Sequence, residues 1–98
     1  TWATPLFFPA LGFGVDLSIL ACTKYIAGHS DVMAGAVTAS EQHWSVLRKT
    51  AQQLGQMLGP DDAALVARGL RTLDIRMARH QASGLAVARW LDEQPELD

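Results

Sequence analysis

Lys24 is the single lysine of the first 39 residues, set in Ala21-Cys22-Thr23-Lys24-Tyr25 and followed by Gly28-His29-Ser30-Asp31. Between Thr1 and Ala39 the other charged residues are Asp16 and Asp31. An ammonium group carried into apolar surroundings loses hydration, and desolvation favours its neutral form. A neutral amine is the nucleophile that covalent chemistry on an aldehyde cofactor or a carbonyl substrate requires. The same residue also fits a second description, in which its methylene stem lies along apolar surface and its head stays in water.

Other chemistry is thinly represented. Cys22 is expected to be a small buried packing residue, with an activated thiolate as the alternative. His29, His43 and His80 are scattered over different segments without the short ligand spacings of a zinc site, so no metal site is expected. The chain has no G-x-S-x-G elbow, no Walker loop and no G-x-G-x-x-G; Gly12-Phe13-Gly14 reads as a turn. Arg68, Arg71, Arg76, Arg79 and Arg89 read mainly as a solvated helix face with acidic partners elsewhere, rather than a phosphate site.

The elements that must position Lys24 follow from the hydrophobic period, which changes once. Thr4 to Gly14 mixes Pro, Gly and large apolar residues and suits an irregular, partly buried connection. Val15 to Cys22 and Val32 to Thr38 read as short strands with a turn at Gly28 to Asp31. Their near-continuous apolar character suits a parallel or mixed sheet covered on both faces. From Glu41 the period is helical: Ser40 is a candidate cap, Trp44, Leu47, Ala51, Leu54 and Leu58 share a stripe, and Gly59-Pro60 closes it. After Asp61-Asp62 a second stripe runs through Val66, Leu70, Leu73, Met77, His80, Gly84, Val87 and Leu91. It is expected either as one long helix reaching Glu93 and bridging two domains, or as two helices divided at Gly69. A coiled coil is disfavoured by His80 and Gly84 in the seam.

Composition bounds the class. Of the 98 residues 49% are hydrophobic and only 18% charged, a balance that implies further chain covering the first third. We therefore expect a piece of a larger protein. The net charge of −2 argues against a nucleic-acid platform. No apolar run reaches the ~20 residues of a membrane span, and no targeting segment is visible. A single cysteine fits a reducing cytoplasm.

The run Asp16-Leu17-Ser18-Ile19-Leu20-Ala21-Cys22-Thr23-Lys24-Tyr25-Ile26-Ala27-Gly28-His29-Ser30 resembles the cofactor-lysine signature of the Cys/Met-metabolism family of pyridoxal-phosphate (PLP) enzymes. Arg68-Gly69-Leu70-Arg71-Thr72-Leu73 with Arg76 is similar to that family's second recurring segment, so the resemblance covers essentially the whole chain. Thr1 to Phe8 and Gly14 to Ile19 look most like the family's bacterial cystathionine β-lyase branch. Its γ-synthase, γ-lyase and methionine γ-lyase branches more often differ after the shared threonine.

The resemblance implies an α/β fragment of a fold-type-I PLP enzyme, with two short strands followed by long helices. Residues 1–65 would close the PLP-binding large domain, and 66–98 would lead toward the small C-terminal domain. It implies that Lys24 holds PLP covalently and serves as the catalytic base at the substrate Cα. Thr23 would bind the cofactor phosphate and Thr1 would lie near its ring. Many relatives have serine at the position of Ala21, so one phosphate contact is absent here. Tyr25, His29, Ser30 and Asp31 are expected to shape the turn.

The implied activity is β-elimination of cystathionine, a sulfur-containing amino acid, in a cytoplasmic homotetramer of dimers with shared active sites. The aspartate at the pyridine nitrogen, the phosphate loop, the stacking tyrosine and the substrate-carboxylate arginine match positions outside this chain. The segment alone is therefore expected neither to fold stably nor to catalyse. A non-catalytic helical docking module, using the Val66 to Leu91 stripe, is the reading from another class.

Overall fold

The computed structural model describes residues 1–96. Strand β1 (Leu17–Ala21) pairs antiparallel with β2 (Gly35–Ala39), Leu17 opposite Ala39 and Ala21 opposite Gly35. The direct pairing is thus a hairpin with a long connection, a pair that a mixed sheet contains and a purely parallel one does not. Both strands are also shorter than expected. At one end Ser40 N–H donates to the Asp16 carbonyl at 2.9 Å; at the other Thr23 N–H donates to the Ala34 carbonyl at 3.1 Å. Beyond Ala21 the chain turns, carrying Cys22 into the core instead of along the ladder.

The Pro- and Gly-rich start is more ordered than its composition implies. It forms one helical turn, α1 (Thr4–Phe7), with Pro5 in the position where its missing N–H costs nothing, and then a 3-10 turn over Ala10–Phe13. The Phe8 and Phe13 rings stack with centroids 5.1 Å apart.

Helix α2 (Glu41–Gln53) starts at the expected place, but the Ser40 hydroxyl does not cap it. That hydroxyl meets His43 Nδ1 at 2.9 Å, leaving the Ser40 carbonyl to accept the first helical bonds from His43 and Trp44. The helix also ends earlier than the Gly59-Pro60 stop. Gly55, with φ of 65°, donates to Gln52 O, and Gln56 N–H reaches back to Ala51 O at 2.9 Å, a left-handed C-terminal closure that strands Leu58 on the following loop.

The last stripe is two helices, α3 (Pro60–Leu70) and α4 (Leu73–Asp92). The break falls at Arg71-Thr72, just after Gly69. Of the stripe, Leu73 and Met77 are buried and Val66 packs beside them, whereas Leu70, Val87 and Leu91 are exposed. Cys22, Ile26, Leu73 and Met77 form the core cluster, joined by Leu20, Tyr25, Ala34 and Val66. The core therefore lies directly beneath the loop that carries Lys24.

Little else is covered. The radius of gyration is 17.1 Å, against ~13 Å for a compact chain of about 100 residues. Trp2 is 84% exposed, Ile19 77% and Met33 85%. None of the described helices is long and apolar enough to cross a membrane.

Candidate active site

Lys24 sits on a run of turns over residues 22–27 that leaves β1 and ends at Gly28. Two local bonds close it: Ala27 N–H donates to Cys22 O at 2.9 Å and Gly28 N–H to Lys24 O at 2.8 Å. Cys22 and Ile26, on either side of the lysine, are each 4% exposed and pack on Leu73 and Met77. The apolar neighbours anchor the turn and leave Lys24 between them exposed. The apolar surroundings expected around its amine are not found in the described residues: Leu73 and Met77 of α4 pack under the turn, and the α4 side chains on the lysine's own side, Arg76 and His80, are polar.

Gly28 ends the run with φ of 72°, in the left-handed region that favours glycine. A β-carbon there would also collide with the Arg76 guanidinium, 2.9 Å from Nη2 and closer to the other atoms. Ser30 follows at φ of 56°, His29 Nδ1 lies 2.6 Å from Ala27 O, and Asp31 pairs with Arg68 of α3. These contacts give the His29 to Asp31 segment the turn-shaping part expected of it. Bonding to the Arg68 guanidinium holds the Asp31 carboxyl below its ordinary value.

A cleft of about 670 Å³ opens over the lysine. Thr1, Thr23 and Lys24, the three residues singled out for the cofactor, all line it, together with Trp2, Tyr25, Arg76 and His80. Thr1 is drawn in from the chain start because its hydroxyl accepts from Ala21 N–H at 3.2 Å. The Tyr25 and His80 rings meet at 5.6 Å between centroids, joining the turn to α4. A cleft of this size suits a small cofactor and substrate, and an exposed primary amine on its wall is the group an aldehyde cofactor needs.

Thr23 is more committed than its expected role requires. Its hydroxyl donates to Ala34 O at 3.2 Å and accepts from Ala34 N–H at 2.9 Å. A hydroxyl has a single proton, so donating to a phosphate requires taking that proton away from Ala34 O. The free lone pair gives an anionic phosphate nothing. Thr23 thus closes the loop from residue 23 to residue 34 as well as facing the cleft.

Cys22 is buried and unpaired, and burial pushes its thiol up, which suits a packing residue and not a thiolate nucleophile. Ser40, His43 and Asp16 also gather, yet Ser40 Oγ and Asp16 Oδ1 both approach the same nitrogen, His43 Nδ1, at 2.9 and 3.5 Å. A proton relay needs the two partners on opposite ring nitrogens. The cluster ties the start of β1 to the start of α2.

Arg76 departs most from its sequence reading as a solvated helix residue. Its guanidinium donates from Nη1 to Tyr25 O at 2.7 Å, from Nη2 to Ile26 O at 3.3 Å and Gly69 O at 2.8 Å, and from Nε to Thr72 Oγ1 at 3.0 Å. The sequence signal for it was Gly28, whose missing side chain leaves the space the guanidinium fills.

The chain is similar to known proteins over nearly its whole length. The chain is 47% identical over 97 residues to the cystathionine beta-lyase MetC of Escherichia coli (strain K12), which covers 99% of this chain and 25% of that protein. Among solved structures, cystathionine gamma synthase from Xanthomonas oryzae pv. oryzae superposes with a TM-score of 0.82 at 46% identity, covering 87% of this chain and 22% of that one. CalE6 from Micromonospora echinospora, a cystathione gamma lyase, gives a TM-score of 0.91 at 34% identity over 97% of this chain and 25% of that one. The chain thus spans about a quarter of the length of the relatives it matches. The family model described as Cys/Met metabolism PLP-dependent enzyme matches residues 1–98 throughout, and the chain belongs to this family of PLP enzymes.

Proposed function

We propose that the protein carrying this chain is a PLP-dependent carbon–sulfur lyase that splits L-cystathionine, with water, into homocysteine, pyruvate and ammonia. The observation that carries this reading is the convergence of Lys24, Thr23 and Thr1 on one cleft, together with the match to a cystathionine beta-lyase over nearly the whole chain. PLP supplies an electron sink for the carbanion at the substrate Cα. Lys24 would hold the cofactor by its ε-amine and, as a free amine, would accept the Cα proton and return a proton to the departing sulfur. Thr23 binds the phosphate if its hydroxyl proton swings away from Ala34, and Thr1 flanks the ring.

In this reading residues 1–65 finish the cofactor-binding domain and 66–98 lead toward a C-terminal domain, the last two lying outside the described residues. The exposed apolar residues of the first third, Trp2, Phe7 and Phe13 among them, are covered in a tetramer of dimers. The buried free thiol of Cys22 suits a reducing cytoplasm. The structural likeness to a gamma lyase and a gamma synthase favours, as a second reading, chemistry at the γ-carbon.

The test takes the whole protein: record its visible spectrum, reduce it with borohydride, map any phosphopyridoxyl adduct, and identify the products from L-cystathionine. An adduct on Lys24 with pyruvate and homocysteine supports the proposal. Cysteine and 2-oxobutyrate move the assignment to the γ-lyase, and an unmodified Lys24 removes the catalytic account.

A further inference from the structure

Every backbone carbonyl from Lys24 to Ala27 is taken. Lys24 O accepts from Gly28 N–H, and Ala27 O lies against His29 Nδ1, both contacts made within the loop. Among the described residues, Tyr25 O and Ile26 O have no local donor and are reached by Arg76, which comes from α4, 51 and 50 positions along the chain. The other edge of the same guanidinium holds Gly69 O and Thr72 Oγ1, at the α3–α4 break. A planar, permanently charged fork meets several fixed oxygens at once, which an ammonium or an amide does not.

From this we infer that Arg76 is a positioning residue for Lys24, locking the turn that carries the reactive amine to the junction of α3 and α4. The inference rests on the reading of Lys24 as the cofactor-bearing residue. Three features of the chain converge on it. Gly28 and Gly69 leave room where the guanidinium and α3 approach the turn. Cys22 and Ile26 fix the turn from below through apolar contact alone, which resists lifting but not rotation. Thr23 gives directional bonds to Ala34 on the strand side of Lys24, and Arg76 gives them on the far side, at Tyr25 and Ile26, so that the turn is held at both ends. Proton transfer at the substrate Cα depends on that orientation, and a displacement of about 1 Å costs on the order of 100-fold in rate.

The experiment compares Arg76→Gln, Arg76→Lys and Val66→Ala in the whole, PLP-loaded protein. Val66 packs on the same core cluster without bonding to the turn, so its variant reports loss of stability alone. The readouts are borohydride-trapped adduct on Lys24, visible circular dichroism of bound PLP, and kcat and KM for pyruvate release from L-cystathionine. In Arg76→Gln we expect full adduct, kcat lower by about 10- to 100-fold, KM within about threefold and a weakened dichroic band. Arg76→Lys is intermediate, and Val66→Ala matches wild type when assayed well below its Tm.

Unchanged kcat and dichroism in Arg76→Gln, or the same losses in Val66→Ala, overturn the inference. Where Arg76→Gln does not fold, Arg76→Lys decides by the same criteria. If wild-type protein forms no adduct on Lys24, the functional reading fails, and the lock is judged on apoprotein by amide exchange. Faster exchange at Ala27 and Gly28 in Arg76→Gln but not in Val66→Ala upholds it, and equal exchange overturns it.

Discussion

Gly69 of α3 rests directly on Ala27 of the lysine turn. A β-carbon added to Gly69 would lie 2.7 Å from the Ala27 carbonyl carbon and nearer still to the Ala27 and Ile26 carbonyl oxygens. These are backbone atoms, which cannot swing aside as the end of a flexible side chain would. Gly69→Ala is expected to push α3 off the turn and to destabilise the whole protein by at least about 1–3 kcal/mol, the usual range for overpacking. Thermal denaturation measures it; an unchanged Tm would show that the approach is looser than the distances imply.

The two roles of Thr23 separate by substitution. Thr23→Val leaves Ala34 N–H without the acceptor it has at 2.9 Å, a loss of about 1–3 kcal/mol for a buried donor and less for a half-buried one. Thr23→Ser keeps the hydroxyl and is expected to stay near wild type. A PLP titration of each apoprotein adds the second measurement. Weaker PLP binding in the valine variant supports phosphate contact, whereas lower stability with unchanged PLP affinity makes Thr23 a loop-closing residue alone.

The ion pair between Asp31 and Arg68 predicts an acid dependence of definite sign. Bonding to Arg68 lowers the Asp31 pKa in the folded protein. Its contribution is therefore present above the unfolded carboxylate value of about 3.9 and is lost as pH falls through the lower folded value. The Tm difference between wild type and Arg68→Ala is expected to be constant from about pH 7 to pH 5 and to close below about pH 4. Both side chains are more than a third exposed, so the difference is small and shrinks in high salt. A gap that widens in acid contradicts the assignment.

Residues 1–98 expressed alone are expected to show no cooperative thermal transition and no borohydride-trapped PLP. Among the described residues six apolar side chains are buried, none of the large ones fully, while Trp2, Ile19, Met33 and Met57 are each more than three-quarters exposed. Burial on that scale does not offset the conformational entropy of ordering the chain. A sharp transition by circular dichroism with stoichiometric PLP on Lys24 would reverse this.

The chemistry and the order of elements were legible in the residues themselves. One lysine in an apolar run, with Cys22, Thr23 and Gly28 around it, marked a candidate site and, with the motif it sits in, the family; the period change at Glu41 marked where strands give way to helices. Those properties are local, because an isolated charge, a glycine or a hydrophobic period acts through near neighbours. Element ends were less legible: α2 stops at Gln53 because Gly55 takes a left-handed conformation, and Ser40 spends its hydroxyl on His43. The pairing direction of β1 and β2, the exposure of Lys24 and the commitment of the Thr23 hydroxyl to Ala34 followed from how distant segments meet. Arg76 shows the difference most clearly. In the sequence it is one of several helix arginines; in the fold it satisfies two carbonyls 50 and 51 residues away. Which donor reaches an unpaired carbonyl is decided by three-dimensional proximity, and only the packing of α3 and α4 on the lysine turn created it.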